Sequence, residues 1–247
     1  MDTRREKIIA ITSGKGGVGK SSIVTNLAYI LGGKNKKTCI VDADLSLGNI
    51  DIFFGMIPKF NIKDLIEGKK SINEIMLEGP NNIKIIPATS GIVELSHLTE
   101  EQRNILMFSL QELDGYDFLF VDTPAGISSN VVYFNSISSD IFIVVTPDPA
   151  SIADSYAVIK VLCNKTGRKD FNIIVNMAKD EQEALSVYKK ILSVSDQFLD
   201  VYLDFLGYIP LDANIRQATK RQKLWVEHFP ETQATKALIK ICNKIVS

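Results

Sequence analysis

Two lysines five positions apart are the first residues in this chain that chemistry could use. Lys15 and Lys20 lie within Gly14-Lys15-Gly16-Gly17-Val18-Gly19-Lys20-Ser21, which fits G-x-x-x-x-G-K-[ST], the pattern of a phosphate-cradling P-loop. Glycines let backbone wrap closely around phosphate oxygens, and successive N–H groups with a helix N-terminus form an anion site. Lys20 is expected to reach the β- and γ-phosphates of a nucleoside triphosphate. Ser21 is expected to place its hydroxyl on Mg²⁺, and Ser22 to complete the nucleotide-binding run. Lys15 offers a second positive charge. A charge that completes a site from a partner subunit works as an arginine finger does. The plain alternatives are a glycine-rich turn and a solvated lysine on an exposed loop.

Further candidates follow other apolar runs. Asp122 comes directly after Phe118-Leu119-Phe120-Val121 and suits a Walker B carboxylate holding Mg²⁺ through water; a helix-capping aspartate is the alternative. Gly126 stands close behind, where a backbone N–H meets the γ-phosphate. Asp42 and Asp44 follow Thr38–Val41 and alternate, so they point to opposite sides. Asp44 is assigned to the attacking water and Asp42 to support near Mg²⁺, with a strand-end turn as the alternative for Asp42. Asn176 ends another run, and a carboxamide suits the N6/N7 edge of adenine. Asn164-Lys165-Thr166-Gly167 only begins like a guanine motif and reads as a helix-ending turn with a left-handed glycine.

These residues need a frame. Strands are expected at Lys7–Thr12, Thr38–Val41, Ile83–Ile86, Asp117–Val121, Ile141–Val145, Phe171–Asn176 and Leu203–Tyr208. Several are unbroken apolar runs, as in strands buried on both faces of a parallel sheet. Helical periodicity occupies Ser22–Leu31, Thr99–Leu113, Ser151–Asn164, Asp180–Ser195 and Thr232–Val246, and Thr99-Glu100-Glu101-Gln102 reads as a capping box. Alternating strands and helices imply an α/β fold: a doubly wound, mainly parallel sheet of seven to eight strands with helices on both faces. In such sheets ligands sit beyond the carboxyl ends of the strands, where all the candidates above fall.

Composition narrows the classes. The 247 residues are 45% hydrophobic with a net charge of −1, so no global field draws the chain to nucleic acid or anionic lipid. No linker, repeat or low-complexity tract divides residues 1–247, which read as one domain. Cys39, Cys163 and Cys242 are far apart with no C-x-x-C, which argues against zinc or iron–sulfur binding within one chain and fits reduced thiols. Charged Asp2–Lys7 leave no signal-peptide core, and no apolar run approaches membrane-spanning length. His97 and His228 lack metal-ligand spacing, and Trp225 and Phe229 read as anchors of the last segment to the core. Arg216–Lys223 is basic: a nucleic-acid patch, a solvated helix face or a partner surface. In Lys236–Val246, lysines 236, 240 and 244 oppose Leu238, Ile241 and Ile245, so the last helix (236–247) is either core-packed or an interfacial membrane helix.

Taken together, these motifs resemble the MinD/ParA group of deviant Walker A P-loop ATPases, for which the two-lysine loop is specific. Asp42-Ala43-Asp44-Leu45-Ser46-Leu47-Gly48-Asn49-Ile50-Asp51 resembles the switch I segment of MinD-like proteins. Leu98–Arg103, Asp122–Ser128 and Asp148–Ala157 are similar to the FlhG (FleN) branch, and the likeness runs from about Lys7 to Val246. The resemblance implies a cytoplasmic, slowly hydrolysing ATP/ADP switch with Mg²⁺ that regulates flagellar number and placement. MinD-type division-site and ParA-type DNA-segregation roles are the alternatives. It implies a homodimer closed face to face around two ATP molecules, with Lys15 reaching the partner's phosphates and Asp44 supporting hydrolysis. Asn176, Pro210 and Asp212 would line the adenine pocket. Implied partners are the FlhF GTPase and flagellar switch or transcription components, with contact at the inner membrane face an open possibility. The branch's N-terminal D-Q-A-x-x-L-R segment, which stimulates FlhF, has no counterpart in Met1–Glu6.

Overall fold

Apolar runs too short for helices pair side by side in one sheet of eight strands. The structure, a computed structural model, describes residues 7–45, 47–89, 91, 95 and 97–246. The strands are β1 Lys7–Thr12, β2 Thr38–Asp42, β3 Leu77–Glu78, β4 Lys84–Ile86, β5 Phe118–Asp122, β6 Asp140–Val145, β7 Asp170–Ala178 and β8 Tyr202–Pro210. Their order is β3-β4-β2-β5-β1-β6-β7-β8. Every pairing is parallel except β3 with β4 at the edge. β2 and β5 are buried along their whole length, because helices cover both faces.

Eleven α-helices are described: α1 Lys20–Gly33, α2 Ile50–Phe53, α3 Ile62–Ile66, α4 Ile72–Ile75, α5 Glu100–Gln111, α6 Ser129–Ser136, α7 Pro149–Thr166, α8 Glu181–Phe198, α9 Ala213–Lys220, α10 Trp225–His228 and α11 Gln233–Val246. Strand side chains alternate between faces. Phe118 and Phe120 join a core with α1, α10 and α11, while Leu119 and Val121 join another with α3, α4 and α5. A third core packs β6 and β7 against α7 and α8.

The expected strands all form, β7 and β8 running further than their apolar cores suggest. β3 was not expected; two residues are too few for any period to show. The short helices α2, α3, α4, α6 and α10 were not expected either, although Ser128 caps α6 by accepting from the Val131 N–H. Thr99 and Gln102 form the anticipated capping box on α5. Gly167 closes α7 at φ 72°. Among the described residues no helix is long and apolar enough to cross a membrane.

α11 decides between the two readings of its amphipathic pattern. Leu238, Ile241 and Ile245 are buried in the core with residues of α1 and β8, while Lys236, Lys240 and Lys244 face outward. The apolar face is therefore already engaged by protein. Leu238→Ala should destabilise the fold by about 2–5 kcal/mol in urea unfolding, as a core truncation does. An unchanged midpoint would instead assign this face to lipid.

Candidate functional site

β1 runs into the P-loop, and Gly19, at φ +97°, turns the chain into α1. A side chain there would bring its Cβ within 2.4 Å of Asn176 Nδ2, so only glycine fits this close approach. Asn176 Nδ2 donates to the Val18 carbonyl at 2.8 Å, which ties the loop to the end of β7. On the other side a Cβ at Gly14 would lie 2.3 Å from the Asp154 backbone of α7. The loop is thus clasped between two elements.

A cavity of about 580 Å³ opens in front of it, at the carboxyl edge of the sheet. Gly16, Gly17, Gly19, Lys20, Ser21 and Ser22 line its floor. Asp44 and Asp122 stand at one side, and Asn176, Pro210 and Asp212 at the other. The structure therefore brings together most of the residues expected from the sequence. Asn176 Oδ1 accepts from the Met177 N–H at 2.9 Å, leaving the amide one N–H and one lone pair for a base edge. Asp212 also caps α9 through the Asn214 N–H.

Charge is unbalanced here. Lys20 is buried and donates to Ser13 Oγ at 2.9 Å. Burial lowers its pKa, against the opposing pull of Asp122 and Asp44. Asp122 and Asp42 are side-by-side partners on β5 and β2, so their carboxyls share one face. Burial raises Asp122 to about 6, opposed by Lys20 and by a hydrogen bond with Ser21. Burial, then repulsion from Asp122, raises Asp42 to about 8.

Nine buried side-chain atoms lack a hydrogen-bond partner among the described residues, and four of them, Ser22 Oγ, Asn49 Oδ1, Asp122 Oδ1 and Trp225 Nε1, belong to residues that line this cavity. Polar groups left unpaired inside a protein are costly, so this part of the structure is held at some expense of stability. Asp122 Oδ1 beside the Ser21 hydroxyl is a suitable donor set for Mg²⁺, which takes few protein ligands and keeps its water.

Three assignments change, those of Asp42, Gly126 and Val18. Asp42 does not reach the cavity: Oδ2 accepts from the Asn49 and Ile50 N–H groups at 2.8 and 3.0 Å, and Oδ1 from the Asp44 N–H at 3.2 Å. It shapes the 42–50 segment instead of facing a metal; Ser46 of that segment lies outside the described residues. The Gly126 N–H donates to the Ser13 carbonyl at 2.9 Å and is not free for a phosphate. Val18 turns its side chain into the core, and its loop contribution is the carbonyl held by Asn176. Lys15, expected at a partner's phosphates, does not line this cavity: it borders a groove behind the loop and pairs with Asp148 at the start of α7. Its ammonium holds Asp148 below the usual carboxylate range.

Some lining residues were missed. Phe53, Arg216, Thr219, Lys220 and Trp225 also line the cavity, as does Asn49. Arg216 and Lys220 belong to the basic stretch, and their four-residue spacing on a helix leaving a strand end was the available signal. Trp225 is indeed in the core, as expected, but it is also a cavity wall.

A family model described as ParA, NUBPL iron-transfer P-loop NTPase, matches residues 4–246. The chain belongs to this ParA family. Its fold and loop make it a P-loop ATPase of the MinD/ParA group. Antiactivator FleN of Pseudomonas aeruginosa is 38% identical over 98% of this chain and 86% of its own length. Flagellum site-determining protein YlxH of Helicobacter pylori is 33% identical over 98% of this chain and 82% of its own. The septum site-determining protein MinD of Pyrococcus horikoshii, solved with Mg-ADP, shares the fold at a TM-score of 0.80. It covers 98% of this chain and 96% of its own, with 24% identity. The family description mentions iron transfer. In this ParA member Cys39, Cys163 and Cys242 are spread over three separate apolar clusters.

The buried carboxyls of the ParA site make a pH prediction for ligand-free protein. In the unfolded chain Asp122 loses its proton near 3.8, but in the fold only near about 6. Between those values the folded state holds more protons, so raising the pH weakens it, fully so above about 6. Asp42 extends the decline toward about 8. Asp122→Asn should raise stability in EDTA at neutral pH by on the order of 2 kcal/mol and flatten the slope. Thermal melts from pH 4 to 8 check this; an equally steep slope in the variant would refute it.

Proposed function

We propose that this chain is an ATP-hydrolysing dimerisation switch of the FlhG (FleN) kind, regulating flagellar number and placement. The observation that carries the reading is the division of labour between the two loop lysines. Lys20 lies in the chain's own phosphate cavity, whereas Lys15 is on the far side of the loop, against Asp148. A lysine that cannot serve its own nucleotide from there suits a partner's, in the manner of an arginine finger.

The carboxyl edge has the surface such a partner would cover. Leu47, Ile52, Ile127, Met177 and Leu211 are exposed there, Leu47 and Leu211 by about 70%. Large apolar side chains gathered on one edge mark an association surface. Within each site, Lys20 and the loop N–H groups hold the phosphates, and Asn176, Pro210 and Asp212 hold adenine. Ser21 and Asp122 would hold Mg²⁺, which when bound neutralises charge developing on the phosphates. Asp44, half-buried beside Asp122, orients the attacking water.

The named relatives, an antiactivator and a flagellum site-determining protein, support a role for the switch in flagellar control. Its partner class is therefore flagellar switch or transcription proteins and the FlhF GTPase. Met1–Glu6, where an FlhF-stimulating segment would stand, lies outside the described residues. For a membrane surface α11 offers only its lysines with Ile239 and Val246.

With ATP and Mg²⁺, Asp44→Ala should elute as a dimer in size-exclusion chromatography and return to monomer with ADP. A persistent monomer would count decisively against the switch. Lys20→Ala should weaken ATP binding by roughly ten- to a hundredfold. Lys15→Ala should leave ATP binding by the monomer within about twofold and abolish the dimer-dependent part of hydrolysis. Loss of binding in Lys15→Ala would instead return that lysine to its own site.

A further inference from the structure

Asp42 is not the only group that grips the segment after β2. β4 lies next to β2 in the sheet, with Ile86 level with Val41, so residues 87–89 leave the carboxyl edge beside residues 42–44. There the two runs exchange hydrogen bonds. Thr89 Oγ1 donates to the Leu45 carbonyl at 2.8 Å, and the Gly48 N–H donates to the Thr89 carbonyl at 3.1 Å. Thr89 is only 4% exposed. A Cβ on Gly48 would lie 2.5 Å from Ala88 Cβ and 2.9 Å from Asp42 Oδ2, so the chain at Gly48 is pressed between the 88–89 run and the Asp42 carboxyl. The Pro87 carbonyl accepts from the Ile62 N–H at the start of α3, which anchors the run that does the gripping.

Between these two bonds lies the turn that carries Asp44. The Leu47 N–H donates to the Asp44 carbonyl and to Asp44 Oδ1, both at 3.2 Å, so the closing of this turn sets the rotation of the carboxylate. Asp44 lines the cavity, and Thr89 does not. A nearly buried hydroxyl that reaches 44 positions along the chain and stands outside the cavity acts through the turn it holds. That turn matters for rate. An attacking water must be oriented on the phosphoryl group, and a misplacement of about 1 Å costs as much as a hundredfold.

We infer that Thr89 is a positioning residue for hydrolysis: its hydroxyl holds the Leu45 carbonyl and thereby fixes the turn from which Asp44 orients the attacking water. The inference rests on the reading of Asp44 above and adds to it what keeps that carboxylate in place.

The test separates turnover from binding. Thr89→Val keeps the branching of the side chain and removes the donor, whereas Thr89→Ser keeps the donor. Turnover is read with saturating ATP and Mg²⁺, at protein concentrations where specific activity has reached its plateau. Thr89→Val should lose turnover by about ten- to a hundredfold, while ATP affinity by calorimetry stays within about twofold of wild type. Thr89→Ser should keep turnover within about threefold. Gly48→Ala pushes the same turn off Ala88 and leaves the Thr89 hydroxyl intact. It should reproduce the loss, and it decides the matter should Thr89→Val not fold. In an Asp44→Ala background Thr89→Val should cost nothing more, because two residues that act through one group are not additive. Unchanged turnover in Thr89→Val overturns the inference. So does a joint fall in affinity and turnover that Thr89→Ser does not restore, which would make Thr89 a packing residue only. Wild-type turnover by Asp44→Ala would sink the reading of Asp44 itself, a result distinct from a silent Thr89→Val beside an inactive Asp44→Ala.

Discussion

The phosphate loop is held rigidly from both flanks, and the rest of the site is arranged around that. The Asn176 amide grips the Val18 carbonyl from β7, and the α7 backbone presses on Gly14. Backbone N–H groups stabilise a phosphate best when they need no reorganisation to meet it. The same two flanks give the two lysines opposite destinations. The close approach of α7 brings Asp148 within reach of Lys15, while the turn at Gly19 sends Lys20 inward to Ser13.

The interior of the site is poor in stability and rich in unmet bonding. Asp42 and Asp122 lie side by side on neighbouring strands, with Lys20 as the nearby counter-charge and Asp44 at the cavity edge. In a low-dielectric interior such carboxyls repel, and burial alone raises their affinity for protons. Natural proteins accept this kind of local instability where a ligand relieves it. A divalent metal beside Asp122 would relieve part of this repulsion, so metal binding and local stability are coupled. Asp42 shows how the site is kept in shape meanwhile. Its carboxyl accepts from the N–H groups of Asp44, Asn49 and Ile50, and Asp44 and Asn49 both line the cavity.

Much of this was readable in advance because it follows from local rules. Unbroken apolar runs mark strands covered on both faces, and Thr99 with Gln102 announces a helix start. Fixed-spacing glycines and lysines announce an anion site, and polar residues directly after apolar runs fall at one edge of a parallel sheet. Asp44, Asp122 and Asn176 were found that way and Pro210 and Asp212 through the family resemblance, and all five line one cavity. β3 and the short helices α2, α3, α4, α6 and α10 escaped because none carries enough residues for periodicity to stand out.

What the sequence by itself determined is therefore the loop, the sheet class and the list of groups at the strand ends, since spacing along a chain encodes geometry within one element. Only the tertiary structure decided where each group points and what is left over for a ligand. It turned Asp42 onto backbone, gave the Gly126 N–H to Ser13, drew Lys15 to Asp148 and set Trp225 beside the phosphate helix. Hydrogen-bond satisfaction depends on neighbours far apart in sequence, such as Asn26 and Val226, and no local pattern records which of them will be near.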